Sequence, residues 1–452
     1  MLKLTKFVEF LNKIDATKVT EPKILRYIQP VDNSYINSIF NLLEISNNFY
    51  YWNKPSAHIS FICFDQIADA ADIFHHSTIL TIDNIDANKL IWLPIVVGGS
   101  KFPSMKSSAV WEDFNTLNWF IPKYIFYSQF NESFLIINID SQIIPSKKEI
   151  LIEEAQRFFN SYSNYSFESN GNYELKKTDC SSFEDWDKIV NESISNIQIK
   201  ILSKVVLARC KKIEISPKPN VISILRNLEV EFPDCYVFGF KKNNSLFFGA
   251  TPEQLMLINN NIVETEALAG TIQRGNTFEE DSQLAFKLLQ DPKELSEHNS
   301  VLDYLLNALK EFSKEIVFDK KPKIKKLHFM QHLWSQIKAT LDTKDSLFTL
   351  LDKLYPTPAI CGLPKETALN QIDLLENFER GMYAGLIGWF NNTGHGDFAV
   401  AIRSALLKDR FLYAFAGCGI VNGSNSSQEF NETELKFKPI MSLFENETIN
   451  QP

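Results

Sequence analysis

The chain has 452 residues, 44% apolar and 22% charged, with a formal charge of −9 at neutral pH. This is ordinary globular composition; the acidic balance argues against general nucleic-acid or anionic-membrane binding, and no apolar run reaches the roughly 18 to 20 residues of a membrane span. Six cysteines (Cys63, Cys180, Cys210, Cys235, Cys361, Cys418) are scattered without C-x-x-C spacing, the pattern of reduced thiols in a cytoplasmic protein rather than of a disulfide framework or a zinc site.

In chain order, "MLKLTKFVEFLNKI" at the N-terminus predicts a short amphipathic helix without the apolar core of a signal peptide. "LIWLPIVVGG", residues 90–99, has the length of a buried strand. The polar, turn-rich stretch 160–182 either separates two lobes or crosses the surface. "KVVLARC", 204–210, alternates as a strand that places Lys204, Val206 and Ala208 on one face. On an apolar face Lys204 sits where a lysine can work as a general base; an edge-strand lysine guarding against aggregation is the plainer use. Residues 235–252, 253–270 and 396–421 then predict three hairpins, turning at Asn243–Asn244, Asn259–Asn261 and Lys408–Asp409. Helices are predicted over 279–290, 293–312, 344–354 and 427–437. Hairpins outnumber strand–helix–strand units, which points to an α+β fold with large antiparallel β-sheets sandwiched with helices. No G-x-G-x-x-G or Walker loop interrupts that reading.

Carboxylates occupy informative places. Helix 293–312 carries an apolar stripe at Val301, Leu302, Leu305, Leu306, Leu309 and Phe312, and stepping back from Val301 by four residues reaches Glu297, with Glu294 a turn earlier. Buried carboxylates are costly unless paired or metal-bound, although a helix start also suits solvated ones. In "SNSSQEFNETELKFK", Ser426 and Glu429 have capping-box spacing, and Glu429, Glu432 and Lys436 share a face. Two facing carboxylate pairs suit Mg²⁺, which takes one or two protein carboxylates and completes its shell with water and substrate oxygens. The basic run "KKPKIKK", 320–326, reads as a solvated loop or a phosphate-contacting patch. His328 and His332 have i,i+4 spacing, and His75–His76 are adjacent, but neither pair has a third ligand nearby. "LYPTPAICGLPKETAL", 354–369, is stiffened by Pro356, Pro358 and Pro364 around the small residues Thr357, Ala359 and Cys361, as a pocket wall or a core hairpin requires.

"KVVLAR", "GATPEQL", "ETEALAGT", "ELSEH", "HLWSQI", "PTPAICGLPK", "ERGMYAGLIG", "AIRSAL", "AGCGIV" and "EFNETELK" stand in the order found in chorismate-utilising enzymes, which this chain resembles. The likeness is dense from about residue 200 to 441 and thin before about 180, chiefly "VVGGSKF" and the tryptophans after it. Residues 1–180 are accordingly expected as an N-terminal lobe completing the same fold, and 181–446 as the chorismate-binding catalytic core. The resemblance implies an α+β sandwich of large antiparallel sheets. It casts Lys204 as the base that activates water at ring carbon 2, and Glu253 as the acid that protonates the departing carbon-4 hydroxyl. It casts Glu297 and Glu432 as Mg²⁺ ligands supported by Glu294 and Glu429. Tyr383, Arg403 and Lys436 resemble the groups that hold the substrate carboxylates, helped by backbone amides at Gly270–Thr271 and Gly417–Cys418–Gly419, with His332 orienting the ring.

Within that family, relatives that aminate chorismate generally lack the lysine found here at 204. Makers of aminodeoxychorismate often carry a nucleophilic lysine where this chain has Ala269. Salicylate synthases tend to have threonine at the place of Ala359. The resemblance therefore implies water addition that stops at isochorismate, an isomerisation serving menaquinone or siderophore synthesis. Salicylate formation by later pyruvate elimination is the alternative, and a partner-dependent aminating subunit a more remote one; no obligatory amidotransferase partner is expected.

Overall fold

The computed structural model describes residues 4–445 apart from 15–23, 70–78, 82–91, 131, 162–171, 181 and 343–346. His75–His76, and residues 162–171 and 181 of the 160–182 stretch, lie outside the described residues. Two antiparallel ladders carry the fold. The longer runs through Ile24–Val31, Glu132–Asp140, Phe120–Gln129, Ile59–Asp69 and Asn48–Lys54. It continues through Tyr236–Lys242, Ser245–Thr251, Ser404–Lys408 and Phe411–Ile420 to Lys204–Ser216. The edge of that last strand takes Gly362–Leu363 at one end and Glu174–Cys180 at the other; the short strand Ile79–Thr81 joins the opposite edge in parallel. The second ladder runs Val96–Ser100, Leu386–Phe390, His395–Val400, Gln254–Asn259, Ile262–Gln273 and Met330–Leu341, with Ser313–Phe318 and Lys323–Lys326 beyond. The two ladders touch in register at Val97 and Phe120.

Alternating side chains explain the layering. In Asn48–Lys54, Tyr50 and Trp52 enter the core between the ladders with Phe238, Phe240, Phe247, Met256, Trp389 and Phe398. Phe49 and Tyr51 face a second core with Val237 and Phe248, closed by helix residues such as Phe7, Leu225, Leu228, Phe437 and Ile440. A strand with aromatic residues on both faces can only be central to a sheet. Trp52 and Tyr50 are fully buried, each contributing on the order of 2 kcal/mol.

The three predicted hairpins turn where expected, at Asn243, Asn260 and Asp409, whose positive φ values of 52°, 57° and 56° suit Asn and Asp. The strand expected to run from 396 to the turn at Lys408–Asp409 is broken instead, and the first two predicted hairpins join through a crossing. Pro252–Glu253 carries the chain from Ser245–Thr251 in one ladder to Gln254–Asn259 in the other, and residues 401–403 do the same between His395–Val400 and Ser404–Lys408. The helices are Phe278–Leu288, Pro292–Lys310, Leu347–Leu354 and Ser426–Met441, each within a few residues of expectation. Among the described residues no helix is long and apolar enough to cross a membrane.

Candidate active site

Both crossings between the ladders open on one buried cleft. Strand Lys204–Ser216 supplies its floor through Val206, and Gly417 and Gly419 face it from Phe411–Ile420. Lys204 is only 2% exposed, its Nζ donating at 2.8 Å to Oε1 of Glu297, which lines the cleft. A Cβ at Gly419 would lie 2.6 Å from that oxygen and 2.8 Å from Lys204 Cε, so glycine is what lets the strand approach the pair. Burial pushes Glu297 upward, but the charge and hydrogen bond of Lys204 outweigh it and hold the carboxylate below its usual range.

Glu253, cast by the resemblance as the acid, is 6% exposed at the first crossing. Burial, reinforced by the charge of Glu266, pushes its carboxyl up to about 7 against the pull of Arg403, Lys204 and Lys436. It is thus protonated for much of the time at neutral pH and can donate. Arg403 stands at the second crossing with φ of 49°, a strained setting for a non-glycine residue. Its guanidinium reaches Met330 Sδ at 3.1 Å and lies 3.5 Å from His332 Nε2. Burial, then Arg403 and Lys436, hold His332 well below the usual imidazole range, so it is neutral. Its Nδ1 lies 3.1 Å from both Thr271 Oγ1 and Gly270 O.

Tyr383, whose ring stacks on Phe415 at 5.2 Å, points its hydroxyl at Gly417; burial raises its phenol. Lys436 donates to Gly417 O at 3.1 Å and pairs with Glu432 at 2.6 Å. Ala359 and Ile360 line the wall opposite in sequence to these groups, and Ala269 lines it too. The 354–369 stretch is therefore pocket wall, folded back at Gly362 (φ 139°) to pair with Lys204 and Val205.

The four carboxylates come from the starts of two helices. Asp291 caps the first, accepting from Lys293 N and Glu294 N, with Pro292 in the first turn. The second is capped by Asn425, which accepts from Ser427 N and Gln428 N. The capping box read at Ser426 and Glu429 is thus displaced by one residue: Ser426 Oγ instead donates to Asp187, and Glu429 is freed to pair with Lys293 at 2.8 Å. Burial and Glu297 raise Glu294 to about 7 while Thr271 N donates to it at 2.9 Å. Burial and Glu432 raise Glu429. Acidic neighbours that raise Glu294 and Glu429 in this way fit a hard cation. Among the described residues no three acids, histidines or cysteines converge on one point, which a cation holding one or two carboxylates does not require.

Cys418 turns its side chain away from the cleft, its thiol 3.6 Å from Glu429 O; only its backbone can serve a ligand. The basic run is neither a free loop nor a phosphate patch. Lys323–Lys326 is an edge strand whose lysines pair with Asp319, Glu266 and Asp281. His328 and His332 lie at a turn and on a strand, so their spacing does not make a helix face. Sequence reasoning missed Arg380, which lines the cleft and is 2% exposed. It donates to Ile360 O at 2.9 Å and Val206 O at 2.7 Å, and pairs with Glu376, whose Oε1 accepts from Ala208 N at 2.8 Å. Its i,i+4 spacing from Glu376 was the available signal.

The family model described as "Chorismate binding enzyme" matches residues 9–445. The chain is 32% identical to the isochorismate synthase MenF of Bacillus subtilis over 453 residues, 96% of each protein. It is 34% identical over 365 residues to isochorismate synthase 2, chloroplastic, of Arabidopsis thaliana, covering 78% of this chain and 65% of that protein. The solved structure of the menaquinone-specific isochorismate synthase MenF of Escherichia coli superposes with a TM-score of 0.78 at 21% identity, over 98% of this chain and 100% of the other, and so shares the fold. The α+β arrangement of large antiparallel sheets expected from sequence is the one this family has, and the chain belongs to the chorismate-binding enzymes.

Proposed function

We infer that the chain is an isochorismate synthase, an isomerase that interconverts chorismate and isochorismate. The observation that carries this reading is one buried cleft lined both by Glu253, an acid whose carboxyl is pushed up to about 7, and by Glu297, whose Oε1 accepts from Lys204 Nζ. In the proposed reaction water bonds to ring carbon 2, the ring double bonds shift, and the bond from carbon 4 to its hydroxyl oxygen breaks. In its neutral form Lys204 Nζ takes the proton from the attacking water, and Glu297 at 2.8 Å stabilises the ammonium so formed. Glu253 gives its proton to the departing hydroxyl, which leaves as water, so the two waters balance. Arg403, Lys436 and Tyr383 hold the substrate carboxylates with the amides at 270–271 and 417–419; neutral His332 orients the ring. Glu297 and Glu432 would hold Mg²⁺, with Glu294 and Glu429 supporting them. When bound, that ion supplies a positive centre for the ring carboxylate, drawing electron density from the ring as the hydroxyl leaves.

Ala269 offers no amine, and Ala359 no hydroxyl, beside the ring; this supports arrest at isochorismate without an amidotransferase. The free Cys63, Cys235, Cys361 and Cys418 suit a cytoplasmic setting, and menaquinone or siderophore synthesis would consume the product. The test is chromatography of products after incubation with chorismate and Mg²⁺ without ammonia. A mixture of chorismate and isochorismate without pyruvate is expected. Salicylate with equimolar pyruvate would overturn the role given to Ala359, and an aromatic amine appearing only with glutamine and an amidotransferase would overturn the base.

A further inference from the structure

Every main-chain polar group around Glu253 is tied down. Glu253 N donates to Thr251 Oγ1 at 3.2 Å, and Glu253 O accepts from Val400 N at 3.1 Å on the neighbouring crossing. The two flanking groups go elsewhere: Pro252 O accepts from Lys325 Nζ at 3.0 Å, and Gln254 N donates to Glu266 Oε1 at 3.2 Å. Those partners are themselves an ion pair, with Lys325 Nζ 2.9 and 3.1 Å from the two oxygens of Glu266, and Trp334 Nε1 also donates to Glu266. The side chains are 22% and 9% exposed, so the pair is shielded from the screening that makes surface bridges weak. The Glu253 carboxyl, by contrast, has no hydrogen-bond or ion-pair partner among the described residues and faces the cleft.

We propose that Glu266 and Lys325 are a positioning pair for Glu253, fixing the peptide groups on both sides of it and setting the field in which its carboxyl exchanges its proton. The proposal rests on the role of Glu253 inferred above and gives a function to a lysine from the 320–326 run. Glu266 lies on strand Ile262–Gln273 and Lys325 on Lys323–Lys326, where it stands opposite His332 on the next strand. Neither needs to touch substrate. The anion favours the protonated form of Glu253, and the cation opposes it while holding the anion in place. Other charges acting on Glu253 are Arg403 on the second crossing, Lys204 on Lys204–Ser216 and Lys436 on Ser426–Met441, and Glu297 and Arg380 line the same cleft.

The test follows the Glu253 carboxyl directly, by infrared difference titration of the full chain, with the band assigned by its loss in Glu253→Gln. Glu266→Gln should lower the pH at which the band titrates by about half a unit or more, and Lys325→Met should raise it by a similar amount. Lys325→Arg should restore the original titration. In both charge-removing variants kcat should fall by about tenfold or more, with KM for chorismate changed less than about threefold. Unchanged titration in both variants, or shifts of the same sign, would overturn the proposal. If Glu266→Gln fails to fold, the opposite-signed shift expected of Lys325→Met and its reversal by arginine still decide it. Because the titration needs no substrate, the expected shifts in a chain that makes no isochorismate would sustain the pair while sinking the reaction.

Discussion

Glu253 is asked to be buried, protonated and mobile in its proton at once, and that combination has a thermodynamic signature. Its folded value of about 7 lies above the roughly 4.3 of an unfolded glutamate. The native state therefore keeps a proton that the unfolded chain releases, and the stability so contributed is present below about pH 4 and lost as pH rises through 7. Between pH 5 and pH 8 the loss is on the order of 2 to 3 kcal/mol. Glu253→Gln cannot ionise, so urea unfolding at pH 5 and pH 8 should show a stability decline shallower by about that amount, while kcat falls by about 10² or more. An unaltered pH dependence would mean that Glu253 is ionised in the fold. Lys204 makes a complementary case. Arginine can keep an ion pair with Glu297 but does not give up its proton, so Lys204→Arg should retain the thermal midpoint and lose turnover by about 10³; near-normal turnover would remove Lys204 as the base. At this scale periodicity marked Lys204, Glu294 and Glu297 as charges beside apolar stripes but left a solvated or edge role open, and the resemblance supplied their roles. Glu253 and Arg380 were not marked by it, since their burial comes from a chain crossing and from an irregular segment without a period.

The hairpins could be read because Asn243, Asn260 and Asp409 are turn residues between alternating runs, and each takes a positive φ. The crossings at 252–253 and 401–403 could not, because a strand that leaves one sheet for another keeps its alternation in sequence. Those crossings set the site: they place Glu253 and Arg403 in one cleft, with the second hydrogen-bonded back to the first through Val400 N and Glu253 O. The strand Phe411–Ile420 makes the closest approach. Replacing Gly419 with alanine would put a methyl within 3 Å of Glu297 Oε1 and Lys204 Cε, both at flexible ends of side chains. The backbone need not move, so Gly419→Ala should change stability by less than about 1 kcal/mol yet reduce kcat by about tenfold or more, because the displaced pair is the proposed base and its partner. Activity and melting measured together check this; a variant with unchanged kcat would show that the pair tolerates displacement.

For the whole molecule, the question is what the first 180 residues contribute, which their weak resemblance left open. Strand Asn48–Lys54 pairs with Tyr236–Lys242 over six residue pairs, setting Trp52 opposite Phe238 and Tyr50 opposite Phe240. Val96–Ser100 pairs with Leu386–Phe390 in the other ladder. We propose that residues 1–180 are a lobe that finishes both sheets rather than an independent unit. A fragment of 181–446 would bare the ladder edges of Tyr236–Lys242 and Leu386–Phe390 together, and uncover aromatic side chains from both faces of the longer sheet. Edges of that kind are templates for further strand pairing, and no residue of the fragment is placed to cover them. The fragment should therefore sediment as aggregates when expressed alone, although it carries all the named site residues. Co-expression with 1–180 should return soluble material with chorismate isomerase activity, since the missing strands can pair in trans without a covalent link. A monodisperse, active fragment 181–446 would show instead that the catalytic core closes its own edges.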